Sequence, residues 1–501
     1  MDETPAPTLQ TIVTAAGLRH VAGPLDATPT RVTADSRQVV PGALFVATVG
    51  LTVDGHDFIP QAISAGATAV LAQAPYPETP AEGVTWLQHD DTAAALGSVA
   101  AAFYDSPTQE LALVGVTGTN GKTTVVTLCH DALTNMGHTC GLVGTVEVRI
   151  GRERRPATHT TPDAVAVQRL LREMADAGCA YVFMEVSSHA LVQGRVTGCR
   201  FAGAAFTNLS HDHLDYHGDM LSYINAKKLL FDGLDARAFA LVNADDKRGA
   251  VMLQNTRARQ RRYALRQLAD YKGKVLDDSL RGLHLTVDDR EVYTRLAGHY
   301  NAHNLLCAYA IAVELELDAE EALQALSALP GAPGRLEVVA VADSRITGVV
   351  DYAHTPDALQ NVLGALQVGR RGGAQLIAVF GCGGDRDAAK RPVMGRIAAE
   401  LADQVIVTDD NPRSEEAAAI RESVLGGIRG EARARVLEIG DRRQAIRTAV
   451  RLARDEDVIL LAGKGHETYQ EIAGTRYPFD DRSELRAALL ERSGVSNPAK
   501  A

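Results

Sequence analysis

At 501 residues with a formal net charge of -11, the chain exceeds what one hydrophobic core usually serves, and a norm of about 100–200 residues per domain gives three domains. The acidic balance disfavours nonspecific nucleic-acid binding, and the cysteines (Cys129, Cys140, Cys179, Cys199, Cys307, Cys382) include no C-x2-C pair, so they read as reduced, mostly buried residues. Met1-Asp2-Glu3-Thr4-Pro5 has no apolar signal core and no run approaches the roughly 20 apolar residues of a membrane span, so a cytoplasmic protein is expected.

From residue 8 to about 104, short apolar runs (Ala43 to Val49, Ala69 to Ala72) alternate with amphipathic stretches such as Phe58 to Ala65, which predicts a small α/β domain. Ser106-Pro107 interrupts the helical pattern of Thr92 to Phe103, and the first boundary is placed there, giving a domain over 1–107. A fresh strand, Leu111 to Val116, then feeds Gly-Val-Thr-Gly-Thr-Asn-Gly-Lys-Thr-Thr at 115–124. A strand that stops at a glycine-rich turn and opens a helix aims backbone N–H groups and the helix dipole at one anion, the pattern of a polyphosphate cradle. Gly118 and Gly121 allow close approach, Lys122 reaches the outer phosphates, and the Thr123 hydroxyl sits on Mg2+, with Thr119, Asn120 and Thr124 completing the turn. The strict pattern has glycine at 116, where this chain has Val116.

Further apolar runs at Tyr181 to Val186, Ala202 to Phe206 and Phe239 to Val242, separated by helical spacing, predict βαβ crossovers and a mostly parallel sheet in a domain over 108–335. Ligands gather at the carboxyl ends of such strands, where this chain has Glu185, Ser187 and His189, then Thr207-Asn208, then Asn243, Asp245 and Asp246. Three histidines and two aspartates crowd Ser210-His211-Asp212-His213-Leu214-Asp215-Tyr216-His217; with no cysteine and a phosphate cradle upstream, Mg2+ chemistry fits better than zinc, and Glu185 can supply a carboxylate. By spacing alone, Tyr223 to Phe231 is an amphipathic packing helix with solvated lysines. Glycine and proline cluster at Pro330 to Arg335, a second linker. Beyond it, a domain over 336–501 has strand candidates Ile346 to Tyr352, Leu376 to Phe380, Val405 to Thr408 and Val458 to Ala462, and a helix starting at Thr355-Pro356. Residues Gly494 to Ala501 are expected to fray.

Thr-Gly-Thr-Asn-Gly-Lys-Thr, Asp-His-Leu-Asp-x-His-Gly and Ala-Lys-x-x-Leu-Phe, in this order, resemble the Mur ligases of peptidoglycan synthesis, ATP-dependent enzymes that form amide bonds. Val116 is similar to that family rather than to ordinary P-loop proteins. The resemblance implies a three-domain α/β architecture: a small N-terminal domain for the UDP moiety, a central P-loop ATPase domain and a C-terminal Rossmann-like domain that selects the amino acid. It implies Lys122, Lys227, Glu185 and His213 as catalytic residues, with Lys227 carbamylated and holding Mg2+ together with Thr123, Glu185 and His213. Asn301 and Asn304 resemble the adenine contacts, and Arg335 and Asp351 the ATP phosphate and ribose contacts; Tyr300 stands where several branches have histidine, which leaves His299 unassigned.

Ser36, in Asp35-Ser36-Arg37, is the uridine contact that the resemblance implies, beside a loop over Gly50-Leu51-Thr52-Val53-Asp54-Gly55-His56. Thr160, Thr161, Ser187, Gln193 and Arg195 resemble residues that hold the muramoyl-dipeptide. Gly381 to Asp387, Asp410-Asn411-Pro412-Arg413 and Gly463-Lys464-Gly465-His466-Glu467 resemble the branch that adds the third residue of the stem peptide, in its meso-2,6-diaminopimelate form. Arg413 and Arg386 suit the second carboxylate of that amino acid, because a guanidinium binds carboxylates as a planar fork, and Gly463 and Glu467 suit its distal amine. The implied substrates are ATP with Mg2+, UDP-MurNAc-L-Ala-D-Glu and meso-diaminopimelate, acted on by a monomer. Lysine or ornithine as the amino acid, folylpolyglutamate synthetase within the superfamily, and a P-loop regulatory ATPase outside it are the competing readings.

Overall fold

The computed structural model describes residues 6–50, 53–73, 75, 77, 81–342, 344–370 and 372–493; Leu51 and Thr52, the N-terminal Met1 to Pro5 and the stretch expected to fray, Gly494 to Ala501, lie outside them. Three large sheets follow one another along the chain, with a two-stranded hairpin, Tyr469–Ile472 and Thr475–Pro478, after the last strand of the third. The first has the spatial order Arg19–Ala22, Thr85–Gln88, Ala69–Ala72, Leu44–Val46 and Val32–Thr33, parallel except at its first pair. The helix Thr92–Phe103 packs against it, started by the Asp91 carboxylate accepting from the Ala94 N–H at 2.9 Å. On that helix Gly97 meets the loop of Thr197 and Gly198 so closely that a Cβ at 97 would lie 2.3 Å from the Thr197 carbonyl oxygen.

The second sheet has eleven strands. Its centre is parallel: Cys140–Val143, Tyr181–Glu185, Ala112–Thr117, Gly203–Phe206, Phe239–Asn243 and Arg259–Ala264 lie side by side. The first five of these are largely apolar on both faces because both are covered, whereas Arg259–Ala264 buries only Tyr263 and Ala264. Helices Lys122–Asn135 and His299–Glu314 pack with Val114, Val116 and Phe183 on one side, while Ala164–Asp176 and Met220–Asp232 cover Val182, Met184 and Phe206 on the other. Both edges are extended: Glu147–Ile150 and Glu153–Pro156 add antiparallel at one, and at the other Tyr271–Ser279 joins Arg259–Ala264 in parallel and carries the antiparallel Gly282–Val287 and Arg290–Thr294. They are additions to the strands expected from the sequence: Gly282–Val287 buries Leu283, Leu285 and Val287 while alternate residues stay partly exposed, so it presents no continuous apolar run.

The third sheet runs Glu337–Val339, Thr347–Asp351, Val458–Ala462, Leu376–Phe380, Gln404–Val407 and Val436–Glu438, parallel except for the first pair. Thr355 caps the helix Pro356–Gly369 by accepting from the Ala358 N–H at 3.2 Å, and Leu359, Val362, Leu363 and Leu366 form its buried stripe. Among the described residues no helix is long and apolar enough to cross a membrane.

Under this sheet lies a fully buried ion pair. Arg442 donates to both Asp481 oxygens, at 2.8 and 2.6 Å, and to the Ala462 carbonyl at 3.0 Å, so it fixes the end of the strand that leads into Gly463 and Lys464. Removing one partner strands the other charge in a dry interior, which costs about 3–5 kcal/mol. Asp481→Ala is therefore expected to lower the urea midpoint by an amount equivalent to about 3–5 kcal/mol, and a change below about 1 kcal/mol would show that this pair does not hold the sheet.

Candidate active site

The glycine-rich turn leaves the strand Ala112–Thr117 and becomes the helix Lys122–Asn135. A Cβ at Gly118 would fall 2.0 Å from Thr207 Oγ1, and one at Gly121, whose φ is +87°, 2.4 Å from Asn304 Oδ1, so both positions require glycine. Val116 is still inside the strand, buried and paired with Glu185 and Ala205, so the position needs no glycine. Thr119 Oγ1 meets the Tyr223 hydroxyl at 3.2 Å, and the Asn120 N–H donates to Asn208 Oδ1 at 3.0 Å. Thr123 Oγ1 donates to Glu185 at 3.0 Å and accepts from Arg335 at 3.1 Å. Thr145 also bonds Glu185, through its N–H at 2.7 Å and its hydroxyl at 3.0 Å.

Lys122 curls over the turn and donates to the carbonyls of Gly118 and Thr119, both at 2.9 Å. Lys227 reaches the same Gly118 oxygen at 2.9 Å and packs 4.6 Å from the Tyr223 ring. The expectation of solvated lysines on this helix is overturned: Lys227 is 1% exposed, and Lys228 is buried with its ammonium on Asp232 at 2.5 Å. Lys227 and Tyr223, four residues apart, share one helix face, so the Lys227 stem is packed and its amine is aimed at the turn, whereas Lys228 turns to Asp232 on its own helix. Burial pushes the Lys227 ammonium well below the ordinary lysine value, and Lys122 acts in the same direction against Asp212. Burial lowers Lys122 too, opposed by Glu185 and Asp212.

His213 stands edge-on to His189, with ring centres 4.9 Å apart, and its left-handed backbone (φ +55°) turns the chain into the short helix Leu214–His217. Burial brings both histidines down to about 4. Among the described residues no three His, Cys, Asp or Glu side chains form a ready metal cage.

Three cavities open on this centre. One of about 380 Å3 surrounds Thr123, Glu185, Ser187, Asp212 and His213. It shares Asn120, Gly121, Thr124 and Arg335 with a second of about 790 Å3, which Asn304 and Asp351 also line. Asn301 lies behind that wall, donating to the Ala297 carbonyl at 2.7 Å and accepting from Asn304 at 2.8 Å. Asp245, at the same end, takes three backbone N–H groups from Leu265, Arg266 and Gln267 and pairs with His303 at 2.9 Å.

A third cavity of about 980 Å3 shares Thr145, Thr160, Asp212, His213, His354 and Arg386 with the first. It collects Arg386, Asp410, Asn411, Arg413, Gly463 and Glu467 from three separate strand ends of the last sheet. Pro412 lies in the turn between Asn411 and Arg413, its carbonyl accepting from the Glu415 N–H at 3.0 Å, and Arg413 donates to the Gly384 carbonyl at 2.7 Å. Thr161 donates to the Glu185 carbonyl at 2.7 Å, and Arg195 bonds the Thr161 carbonyl at 2.8 Å and Gln193 at 2.6 Å, forming a shelf beside the cleft. Ser36 lines none of the three cavities; it lies with the first sheet, where its hydroxyl donates to Gln61 at 3.1 Å. Thr145, Asp212, His354 and Arg476 line the cleft and Lys464 lies buried behind it, none of them assigned by the motifs. Asp212 and Lys464 stood inside quoted motifs, whereas Arg476 comes from a hairpin with no sequence signal.

Comparison with known proteins adds that the chain matches the Mur ligase middle domain over residues 116–312, the Mur ligase glutamate ligase domain over 334–465 and the Mur ligase catalytic domain over 29–104. It is 52% identical over 428 residues, 85% of this chain and 87% of the relative, to the UDP-N-acetylmuramoyl-L-alanyl-D-glutamate--2,6-diaminopimelate ligase of Cytophaga hutchinsonii. The chain belongs to the Mur ligase family. The Phocaeicola vulgatus ligase of the same name is 49% identical over 85% of this chain and 88% of its own length. A solved structure of a ligase with that name superposes with a TM-score of 0.69 at 35% identity, covering 97% of this Mur ligase and 99% of the other chain. Matches in three consecutive segments leave no room for the reading as a P-loop regulatory ATPase, which accounts for the glycine-rich turn alone.

Asp351 accepts the Leu336 N–H at 2.6 Å, and burial raises its carboxyl to about 6 from 3.8, against the pull of Arg335. The folded chain therefore holds this proton when the unfolded chain does not, so the stability it contributes is complete below pH 3.8 and is lost as pH rises through about 6. Asp351→Asn keeps an acceptor and removes the charge. At about pH 7.5 it is expected to gain on the order of 2–3 kcal/mol over the parent Mur ligase in urea melts, with the difference shrinking toward about pH 4.5; the same difference at both values would refute the assignment.

Proposed function

We propose that this Mur ligase joins meso-2,6-diaminopimelate to the side-chain carboxylate of D-glutamate in UDP-N-acetylmuramoyl-L-Ala-D-Glu, consuming ATP, in peptidoglycan synthesis. The observation that carries the reading is that Arg386, Arg413 and Glu467 line one cavity that opens directly onto the glycine-rich turn, Glu185 and Lys227's end of the cleft. The relatives of about half-identical sequence carry the name of that reaction. Three domains over 1–107, 108–335 and 336–501 would bring UDP-linked peptide, nucleotide and amino acid together, in a monomeric cytoplasmic enzyme.

The adenine and ribose fit the wall of Asn304 and Asp351, with Asn301 holding Asn304 in place, and the triphosphate lies along Gly118 to Thr124. For that, Lys122 leaves its two carbonyl acceptors and extends to the outer phosphates, while Arg335 crosses from the linker. Thr160, Thr161, Ser187, Gln193 and Arg195 orient the dipeptide so that its carboxylate meets the γ-phosphorus, and Ser36 takes the uridine. Transfer of the phosphoryl group makes an acyl phosphate and ADP; the amine of diaminopimelate then attacks the acyl carbon, and phosphate leaves as the amide forms. Arg413 and Arg386 hold the distal carboxylate and Glu467 the distal ammonium, a zwitterionic end that neither lysine nor ornithine possesses.

The donor set also fits Mg2+. Hard oxygens of Thr123 and Glu185 converge beside the turn without sulfur, and an ion that shares its coordination with phosphates needs few protein carboxylates. Thr123, Glu185, His213 and carbamylated Lys227 would hold it, and when bound it supplies charge neutralisation at the phosphates. Carbamylation requires a neutral amine, which the dry setting of Lys227 beside Lys122 favours.

Phosphate release from ATP is expected only when both the UDP-linked dipeptide and an amino acid are present, with diaminopimelate far ahead of lysine and ornithine. Equal rates with the three amino acids would remove the assignment of Arg413. Lys227→Ala is expected to lower kcat by about 10²–10³, the loss typical of one preorganised electrostatic group, and full activity would exclude the carbamate. For Arg413→Ala, loss of a charge-assisted contact of about 1.5–3 kcal/mol predicts a rise in the KM for diaminopimelate of about 10- to 150-fold with little change for ATP.

A further inference from the structure

Lys464 is 0% exposed and lies one residue beyond Gly463, behind Asp410, Asn411 and Glu467 of the amino-acid cavity wall. Its ammonium has three N–H groups and three acceptors: Asn411 Oδ1 at 2.9 Å, Asp410 Oδ1 at 3.4 Å and Glu467 Oε2 at 3.4 Å. Nothing is left over for a substrate, so Lys464 is no ligand. The contacts instead decide how its neighbours face. Asn411 Oδ1 accepts from Lys464 and from the Glu471 N–H at 2.9 Å, which turns the amide so that Nδ2 donates to Glu467 Oε2 at 2.8 Å.

One oxygen of each acid is thereby occupied and the other is not. Glu467 Oε1 and Asp410 Oδ2 have no partner among the described residues, and both residues line the cavity. Gly463 makes room on that side: a Cβ there would lie 2.6 Å from Asp410 Oδ2. Two carboxylates and one ammonium leave the cluster one negative charge, the complement of a single substrate ammonium. Such a charge, buried without its cation, would be costly to keep.

We propose that Lys464 is the positioning residue for recognition of the distal amine: it pins one oxygen each of Asp410 and Glu467 and aims the remaining pair into the cavity as the ammonium receptor. The inference rests on the proposed use of diaminopimelate. Burial and the neighbouring Asp410 raise the Glu467 carboxyl, while Lys464 and Asn411 oppose them, so the lysine works toward keeping this acid charged.

The test compares kcat/KM for meso-diaminopimelate with that for L-2-aminopimelate, which keeps the reacting amine and both carboxylates and lacks only the distal amine. The parent enzyme is expected to prefer diaminopimelate by about 100-fold or more, as sites built to pair a polar group do. If the parent shows no preference or does not use diaminopimelate, the proposed substrate itself is wrong and the inference falls with it. In Lys464→Met the preference is expected to fall by about tenfold or more, with the KM for ATP within about twofold of the parent. A folded variant that loses activity equally on both amino acids, or that keeps the parent preference, overturns the positioning role alone. Lys464→Gln, with donors and no charge, carries the same comparison if the methionine variant does not fold, and Asn411→Ser probes the same network from its cavity side.

Discussion

Two lysine side chains compete for one peptide oxygen. Lys122 comes to the Gly118 carbonyl from the start of the phosphate-loop helix and Lys227 from a helix packed on the opposite face of the sheet. Their proximity is repulsive if both are charged, and burial adds to the cost, so the arrangement favours a state in which one amine is neutral or in which anions occupy the space between them. Everything else in the cleft is arranged around that tension. Glu185 and Asp212 supply negative charge, and the glycines admit further negative charge to the turn.

The cleft is assembled across sheets that are separate in sequence. Asn120 of the turn donates to Asp357, at the start of the helix Pro356–Gly369, at 2.8 Å, and Arg335 reaches Thr123 while packing 4.6 Å from the Tyr352 ring. Each of these joins the central sheet to the last one through a residue that also lines a cavity. Strand ends of both parallel sheets therefore face a common space, which is what a reaction with three substrates requires.

Much of this was legible from the residues. Continuous apolar runs mark strands buried on two faces, and the Ala69, Thr92, Leu376 and Val458 elements begin where periodicity places them. The edge hairpins were not legible, because only alternate residues are apolar and their charged faces look like loop. Spacing misjudged Lys227 and Lys228, since a helical wheel shows which residues share a face but not that a sheet and a phosphate turn lie against it. The burial of Lys464 is not legible for a related reason: the residues that enclose it, Asp410 and Asn411, come from a different strand end. The resemblance to a family named the chemistry, whereas the physical causes of burial and pairing came from the packing.

Gly97 has a consequence for substrate length. Because only a hydrogen atom separates its α-carbon from the Thr197 carbonyl, the first sheet, with Ser36, is seated hard against the loop that follows the Gln193–Arg195 shelf. On the proposed reading, the span between a nucleotide-sugar end and a peptide end is set at this seam, where Gly97 and Gly198 admit the close approach of Thr197 and Ala101. A methyl group at Gly97 would have to push the two sides apart, and with them the proposed anchors of the two ends of a long, semi-rigid substrate.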